Sequence, residues 1–443
     1  MENKLGWRKW LSFIMAGLVG QIAWALENMY LSAYAFYVAE NMTYISLMVA
    51  LSAVTATVTT LLMGALSDRL GKRKPFISYG YVIWGITIVI FAFLDPHKEF
   101  NIVANTAFIA GTMVVIMDCV MTFFGSTAND ACFNAMVTDK TSTNVRGKVE
   151  SVLSVLPMVS MILIVALSGI FGASVKGGSW DIFFYVIGGL TSLIGIALIF
   201  LLEKDDKEPN KEEPYFKNIF YGFRPRVVKH NPLLYILLLG FAVFSMGIQV
   251  FFPYLIVYLQ TVLEITDMNF IICIGVDLVV ASIVTVIIGL FMDKWGKNKL
   301  LVPAVLVAAI GAFMFFFARE MVMVIIAGTI MMSGYLVSTA IIGAKIRDLT
   351  PVKEVGLFQG IRMVFAVMIP MVTGPYIGQA LSYINASTYI NEYGETVVTP
   401  NEYIFLGTSI ILLLSLIPFV ILLLKERKAI DVNGISKTPT REE

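Results

Sequence analysis

The sequence is short of charge, of cysteine and of histidine. Only 14% of its 443 residues are charged and 58% are apolar, whereas a soluble chain carries about 25% charged residues. Thirty-two basic and thirty-one acidic side chains are too few to cover the surface of a soluble protein of this length. The three cysteines, Cys119, Cys132 and Cys273, fall inside apolar stretches, so they build no disulfide framework. Neither C-x-x-C nor H-E-x-x-H occurs, and His97 and His230 stand in polar segments far apart, so no metal site and no cofactor is expected. No nucleophile–base spacing marks an enzyme. A formal net charge of +1 gives no electrostatic footprint for nucleic acid. What remains is an integral membrane protein.

A membrane-spanning helix needs about 20 mainly apolar residues. Twelve such runs can be read, over 10–39, 43–66, 75–94, 102–137, 150–172, 181–202, 232–259, 268–291, 299–318, 321–345, 356–381 and 401–424. The first is too long for a cleaved signal, lacks an A-x-A-like exit and carries Gln21, Glu27 and Asn28. With the N-terminus in the cytoplasm, inner segments hold 29 of the 32 basic residues, leaving only Lys98, Lys176 and Arg319 outside. Adding or removing one span would destroy that segregation, so twelve spans with both termini cytoplasmic are expected.

The one long charged run, EKDDKEPNKEEP at 203–214, falls between spans six and seven and reads as a solvated linker, followed by a more amphipathic stretch over 215–228. The expected organisation is therefore a six-helix bundle over 1–202, a cytoplasmic linker over 203–231 with an interfacial helix, a second bundle over 232–424 and a cytoplasmic tail over 425–443. The two bundles echo one another. GALSDRLGKRK (64–74) and GLFMDKWGKNK (289–299) align without a gap, and TDKTSTNVRG (138–147) and RDLTPVKEVG (347–356) share Asp, Thr and Gly at equal spacing. These echoes predict two pseudo-symmetric halves in the same orientation.

Gly64, Asp68, Arg69, Gly71 and Arg73 form a G-x-x-x-D-R-x-G-x-R pattern that resembles the signature loop of the major facilitator superfamily. Gly289, Asp293, Lys294, Gly296 and Lys297 form its weaker second copy. The resemblance in topology covers nearly the whole chain and implies the fold of that superfamily, an all-α membrane protein of twelve helices. There this loop latches the cytoplasmic gate, which implies gate roles for these residues. On physical grounds, Gly64 permits close helix approach, Asp68 can cap a neighbouring helix or pair with an arginine, and the basic residues sit in the headgroup layer. Arg146, in the second echo, is placed with the same gate.

Carboxylates at membrane depth carry most of the functional signal, because a charge at mid-bilayer costs roughly 2.5–3.5 kcal/mol even on lenient scales. Glu27 lies midway along the first run, on the shoulder of a stripe formed by Gln21, Trp24 and Asn28. That stripe should line a central cavity and contact solute, with Glu27 handling substrate or proton, or else forming a structural hydrogen bond. Asp118 is the cavity carboxylate of the fourth run, followed on one face by Thr122, Gly125, Ser126 and Asn129. Of these, Thr122, Ser126 and Asn129 are candidate solute contacts. Asp130, about 18 Å further along the axis, reads as a gate or capping residue. Asp277 in the eighth run is either a second coupling carboxylate or half of a structural pair, its partner on another helix. Arg362 is a partner for some carboxylate or a cytoplasmic gate charge.

The first run and SDRLGKRKPFI resemble the sucrose/proton branch of the glycoside–pentoside–hexuronide:cation symporters. TANDACFNAMVTDKTSTNVRGKVES in the fourth run resembles bacterial members. The resemblance implies uptake of a sugar or glycoside by proton symport, with Asp118 at the position of that branch's carboxylate. The sodium-using melibiose branch carries paired aspartates on helix two, where this chain has no carboxylate from Thr43 to Leu66. Acidic groups buried without fixed partners suit proton exchange, so a proton is expected in preference to sodium. An exporter is the alternative, although helix five lacks a GPxxGG kink and its echo TGPYIG (373–378) lies in helix eleven. A non-transporting sensor is the remote alternative. The expected partners are a small solute, most simply a sugar, and lipid, for a monomer in a bacterial cytoplasmic membrane. Solute is expected against helices one, four, five, seven, eight and ten.

Overall fold

The computed structural model describes residues 6–98, 107–141, 143–205, 221–351, 355–391 and 396–435; the side chains of Arg146 and Asp293 lie outside the described ones. Twelve helices are long and apolar enough to cross a membrane. They are α1 (Trp7–Ala39), α2 (Met42–Leu70), α3 (Lys74–Phe93), α4 (Phe108–Lys140), α5 (Ser151–Phe171), α6 (Trp180–Leu201), α7 (Pro232–Val262), α8 (Met268–Met292), α9 (Lys297–Phe317), α10 (Met321–Leu349), α11 (Gly360–Ser382) and α12 (Tyr403–Arg427). Each apolar run of the sequence corresponds to one of them.

Within the first half, α3 packs on α6, α2 on α4, and α1 on α5 and α6; within the second, α7 packs on α12 and α11, and α10 on α8 and α9. The halves touch through α2 with α11, α5 with α8, and the middle of α1 with α7. The TGPYIG segment explains part of this packing. A Cβ at Gly374 would meet the Gln249 side chain at 2.5 Å, and one at Gly378 would strike the Val250 carbonyl, so α11 lies tight against α7 because both residues are glycine. The echo is thus a packing element.

Sharp breaks between spans have local causes. Glu40 takes a left-handed conformation (φ 46°) to close α1, and the Asn41 side chain accepts from the Thr43 amide at 2.9 Å to cap α2. At the other end of α2, Gly71 is left-handed (φ 64°), with its amide on the Asp68 carbonyl and that of Lys72 on the Ser67 carbonyl. Its counterpart Gly296 also has positive φ (90°). The two glycines of the repeated loop are therefore required by backbone geometry.

Among the described residues, four π-helical turns interrupt the spans, at Leu26–Leu31, Ser126–Phe133, Tyr258–Val262 and Val364–Met368. The first contains Glu27 and the second Asp130. Beyond Asp205 the described residues resume at Tyr221, which packs edge-on to Phe358 (6.0 Å) before a short helix, Pro225–His230. Residues 215–220 of the expected amphipathic stretch lie outside the described residues. A two-stranded hairpin, β1 (Thr388–Ile390) and β2 (Thr396–Val398), joins α11 to α12 and was not legible in the sequence. It lies against the end of α1: burial and the neighbouring Glu40 carboxylate push the Tyr389 hydroxyl above its usual range, which keeps it protonated.

Candidate functional site

At the middle of the bundle a narrow pocket of about 10 Å³, room for about one water, lies between the halves. Its walls are Glu27 and Asn28 of α1, Met48, Val49 and Ser52 of α2, and Asp118 of α4, facing Gln249, Phe252 and Pro253 of α7 and Met371 of α11. Among the residues lining it, α2 and α11 take the places expected for α5, α8 and α10.

Glu27 and Asp118 are brought together. Glu27 Oε1 accepts hydrogen bonds from Ser52 Oγ (2.7 Å) and Thr122 Oγ1 (3.0 Å), and the two hydroxyls lie 2.8 Å apart. Glu27 Oε2 and both Asp118 oxygens are buried without a hydrogen-bond partner. Ser52 lies close enough to Asp118 to act on its charge but is committed to Glu27. Two acids and two hydroxyls in an apolar setting form a group that can take up a cation and neutralise itself.

The expected solute stripe divides. Asn28 is exposed, with its amide on the Trp24 carbonyl (2.8 Å), and Gln21 and Trp24 are partly exposed. Trp24 leans on Trp84 (5.0 Å between rings). Thr122, Ser126 and Asn129 are buried and do not reach solute in this conformation. Thr122 holds Glu27, and Asn129 Oδ1 lies 2.9 Å from the Tyr81 hydroxyl, tying α4 to α3. Asp130 does not join the loop that carries Arg73. It accepts from Asn129 at 3.1 Å.

The signature loop shows one of the two roles expected of Asp68, the arginine pair, but not the close approach expected at Gly64. A Cβ at Gly64 would meet nothing nearer than Ala131 at 3.9 Å, and at Gly289 nothing within 4 Å, so neither glycine is needed for close approach in this state. Asp68 pairs with Arg73 (2.5 Å), which also reaches Asp139 (3.4 Å) and Ser67. The start of α3 is capped instead by Asp205, which accepts from the Arg73 and Lys74 amides at 3.0 and 3.2 Å. Arg69 and Lys294 are exposed. The second half repeats the brace in other residues: Lys297 pairs with Asp348 (2.7 Å), and buried Lys345 lies 2.9 Å from Glu426 and 2.5 Å from Asn298. Asp277 pairs with Thr329 of α10 (2.8 Å) and lies against Gly328, away from the central pocket.

Hydrogen bonds between the halves gather at the end opposite this loop. Ser46 Oγ lies 2.7 Å from the Tyr254 hydroxyl and donates to Gln379 Oε1 (2.7 Å), while Gln379 Nε2 donates to Thr43 (2.9 Å). Gln260 accepts from Ser174 Oγ (3.1 Å) and the Val175 amide (2.9 Å). Sequence reading missed this clasp, as it missed Ser52, because isolated hydroxyls and amides in apolar runs carry no motif.

A family model described as Major Facilitator Superfamily matches residues 10–344. No curated protein matches the chain. Among solved structures, a D-xylose–proton symporter is similar with a TM-score of 0.70 at 14% identity, covering 93% of this chain and 96% of that one. The nucleoside transporter NupG gives a TM-score of 0.68 at 11% identity, covering 93% and 99%. The xylose transporter XylE from E. coli, in a partially occluded inward-open conformation, gives 0.62 at 14%, covering 91% and 97%. Likeness at these identities is likeness of fold.

Proposed function

The chain belongs to the major facilitator superfamily, a multi-pass membrane transporter and not an enzyme, and from that premise we propose that it takes up a sugar or glycoside by proton symport. The observation that carries this reading is the Glu27–Asp118 pair, three of whose four oxygens have no hydrogen-bond partner in a pocket shared by both halves. A proton arriving on the pair removes the cost of a buried charge and lets the halves close around solute. Gln21, Trp24, Asn28 and Gln249 supply hydrogen bonds and a flat ring, the chemistry a sugar needs. The sugar and proton named for the D-xylose symporter support the same choice.

The basic residues favour the signature-loop end as cytoplasmic. The clasp of Ser46, Tyr254 and Gln379 then closes the outer end. Alternation results if the clasp opens while the loop end shuts, with the units 1–202 and 232–424 moving as blocks.

Sodium is a second reading, favoured by one observation: Glu27, Asp118, Ser52 and Thr122 place oxygens from four side chains at close quarters, the donor type hard cations take. Reconstituted vesicles decide. An inward pH gradient should drive sugar accumulation that a protonophore abolishes. Accumulation driven by a sodium gradient alone transfers the role to sodium, and failure of both gradients with every sugar tried overturns symport. Solute leaving the compartment as protons enter it would identify an exporter.

A further inference from the structure

Where α7, α10 and α11 converge at the signature-loop end, a second pocket of about 250 Å³ opens. Its floor is apolar and buried: Leu234 and Leu238 in the first turns of α7, Ile346 of α10, and Phe358 just ahead of α11. Its rim is polar. Thr350 commits its hydroxyl to the Ile346 carbonyl (2.6 Å), which leaves two guanidinium groups, Arg347 and Arg362, facing the space. Both are exposed and lie within electrostatic reach of each other.

Neither arginine has a carboxylate partner among the described residues. The nearby acids are engaged elsewhere, Asp348 with Lys297 and Glu426 with Lys345; Glu354 lies outside the described residues. Among the described residues, then, Arg362 has no carboxylate partner. Two like charges turned towards one recess repel, and an anion between them removes the repulsion. Guanidinium groups hold phosphate and carboxylate oxygens in pairs.

We propose that this pocket binds an anion with an apolar or ring-like body, its phosphate or carboxylate held between Arg347 and Arg362 and its body resting on the leucine–phenylalanine floor. The anion has two sources, the headgroup of an anionic lipid, since basic pockets between membrane helices take such groups, or a soluble organic anion. The site stands whether or not sugar is the cargo, because none of its residues belongs to the central pocket.

The test is calorimetric titration of the purified full chain with dihexanoyl-phosphatidylglycerol, dihexanoyl-phosphatidylcholine and inorganic phosphate. Saturable binding of the phosphatidylglycerol should weaken by about tenfold or more in the Arg347→Gln/Arg362→Gln variant, as loss of charge-assisted hydrogen bonds requires. Phosphatidylglycerol binding without phosphate binding assigns the lipid source; phosphate binding lost in the same variant assigns a soluble one. Phosphatidylcholine binding as tightly as phosphatidylglycerol, an unchanged affinity in the variant, or no binding of either anion overturns the proposal. Should the double variant fail to fold, thermal stabilisation by phosphatidylglycerol is compared in wild type and in Arg347→Gln, a rim substitution; equal stabilisation overturns it as well.

Discussion

Ser52 on α2 donates to Glu27 on α1 at 2.7 Å, and this bond leaves the second Glu27 oxygen and the whole Asp118 carboxyl facing the pocket without a donor. Asp118→Asn should abolish uphill sugar accumulation in vesicles while downhill exchange persists within a few-fold. Accumulation at the wild-type ratio would remove Asp118 from ion coupling.

Ser52→Ala should act differently. It removes one donor from Glu27 but no carboxyl, and loss of a hydrogen bond to a charged group is worth about 1.5–3 kcal/mol. The concentration of coupling ion that half-saturates uptake should shift by roughly tenfold or more, with accumulation still present. An unshifted ion dependence would mean that Ser52 does not set the state of Glu27.

Gln379→Ala removes the bonds from α11 to Thr43 and Ser46. At about 1 kcal/mol for each neutral hydrogen bond, the population open at that end should rise by roughly five- to thirtyfold. Met48→Cys in a chain otherwise free of cysteine reports it, through faster labelling by a membrane-impermeant thiol reagent added on the Thr43 side. An unchanged labelling rate would show that the clasp does not hold the closed end.

Gly71→Ala and Gly64→Ala should separate backbone from packing. The first forces a side chain into φ 64° and should lower thermal stability in detergent by about 1–2 kcal/mol. The second meets only Ala131 at 3.9 Å and should leave stability unchanged. If Gly64→Ala nonetheless stops transport, the close approach belongs to the opposite conformation; if it destabilises as much as Gly71→Ala, the open space beside Gly64 is not there.

Glu426→Ala leaves Lys345, which is only 5% exposed, with the Asn298 amide but no opposite charge among the described residues. Removing one partner of a buried pair costs about 3–5 kcal/mol, so a clear fall in the unfolding temperature is expected. The double variant Lys345→Met/Glu426→Leu should recover most of it. No recovery would mean that the pair contributes more than mutual neutralisation.

The number of spans and the duplicated loop were legible in the sequence because they depend on run length, basic-residue bias and spacing alone, whereas the ends of α2, α4, α10 and α11 were not, because polar residues continue or shorten those helices. The composition of the site was legible only in part. Glu27 and Asp118 stood out as carboxylates in apolar runs, yet nothing announced that they meet, since Ser52 lies on a third helix among ordinary threonines and serines. The faces of α4 were misread for a physical reason. The π turn at Ser126–Phe133 adds a residue and rotates the remainder of α4 by about 100° relative to a regular helix. A stripe read at regular spacing therefore put Asn129 towards solute, whereas Asn129 is tied to Tyr81. The hairpin and the clasp at the far end depend on partners distant in the chain.

The same residues that brace each half also decide where the molecule yields. Charge fastens what must stay rigid: Arg73 with Asp68 and Asp139 in one block, Lys345 with Glu426 in the other. Among the described residues, hydroxyls and amides fasten the seam between the halves, at Ser46, Tyr254, Gln379 and Gln260. Water can replace those weaker ties one by one, so parting the seam at these residues would strand none of the ion pairs that brace the two blocks.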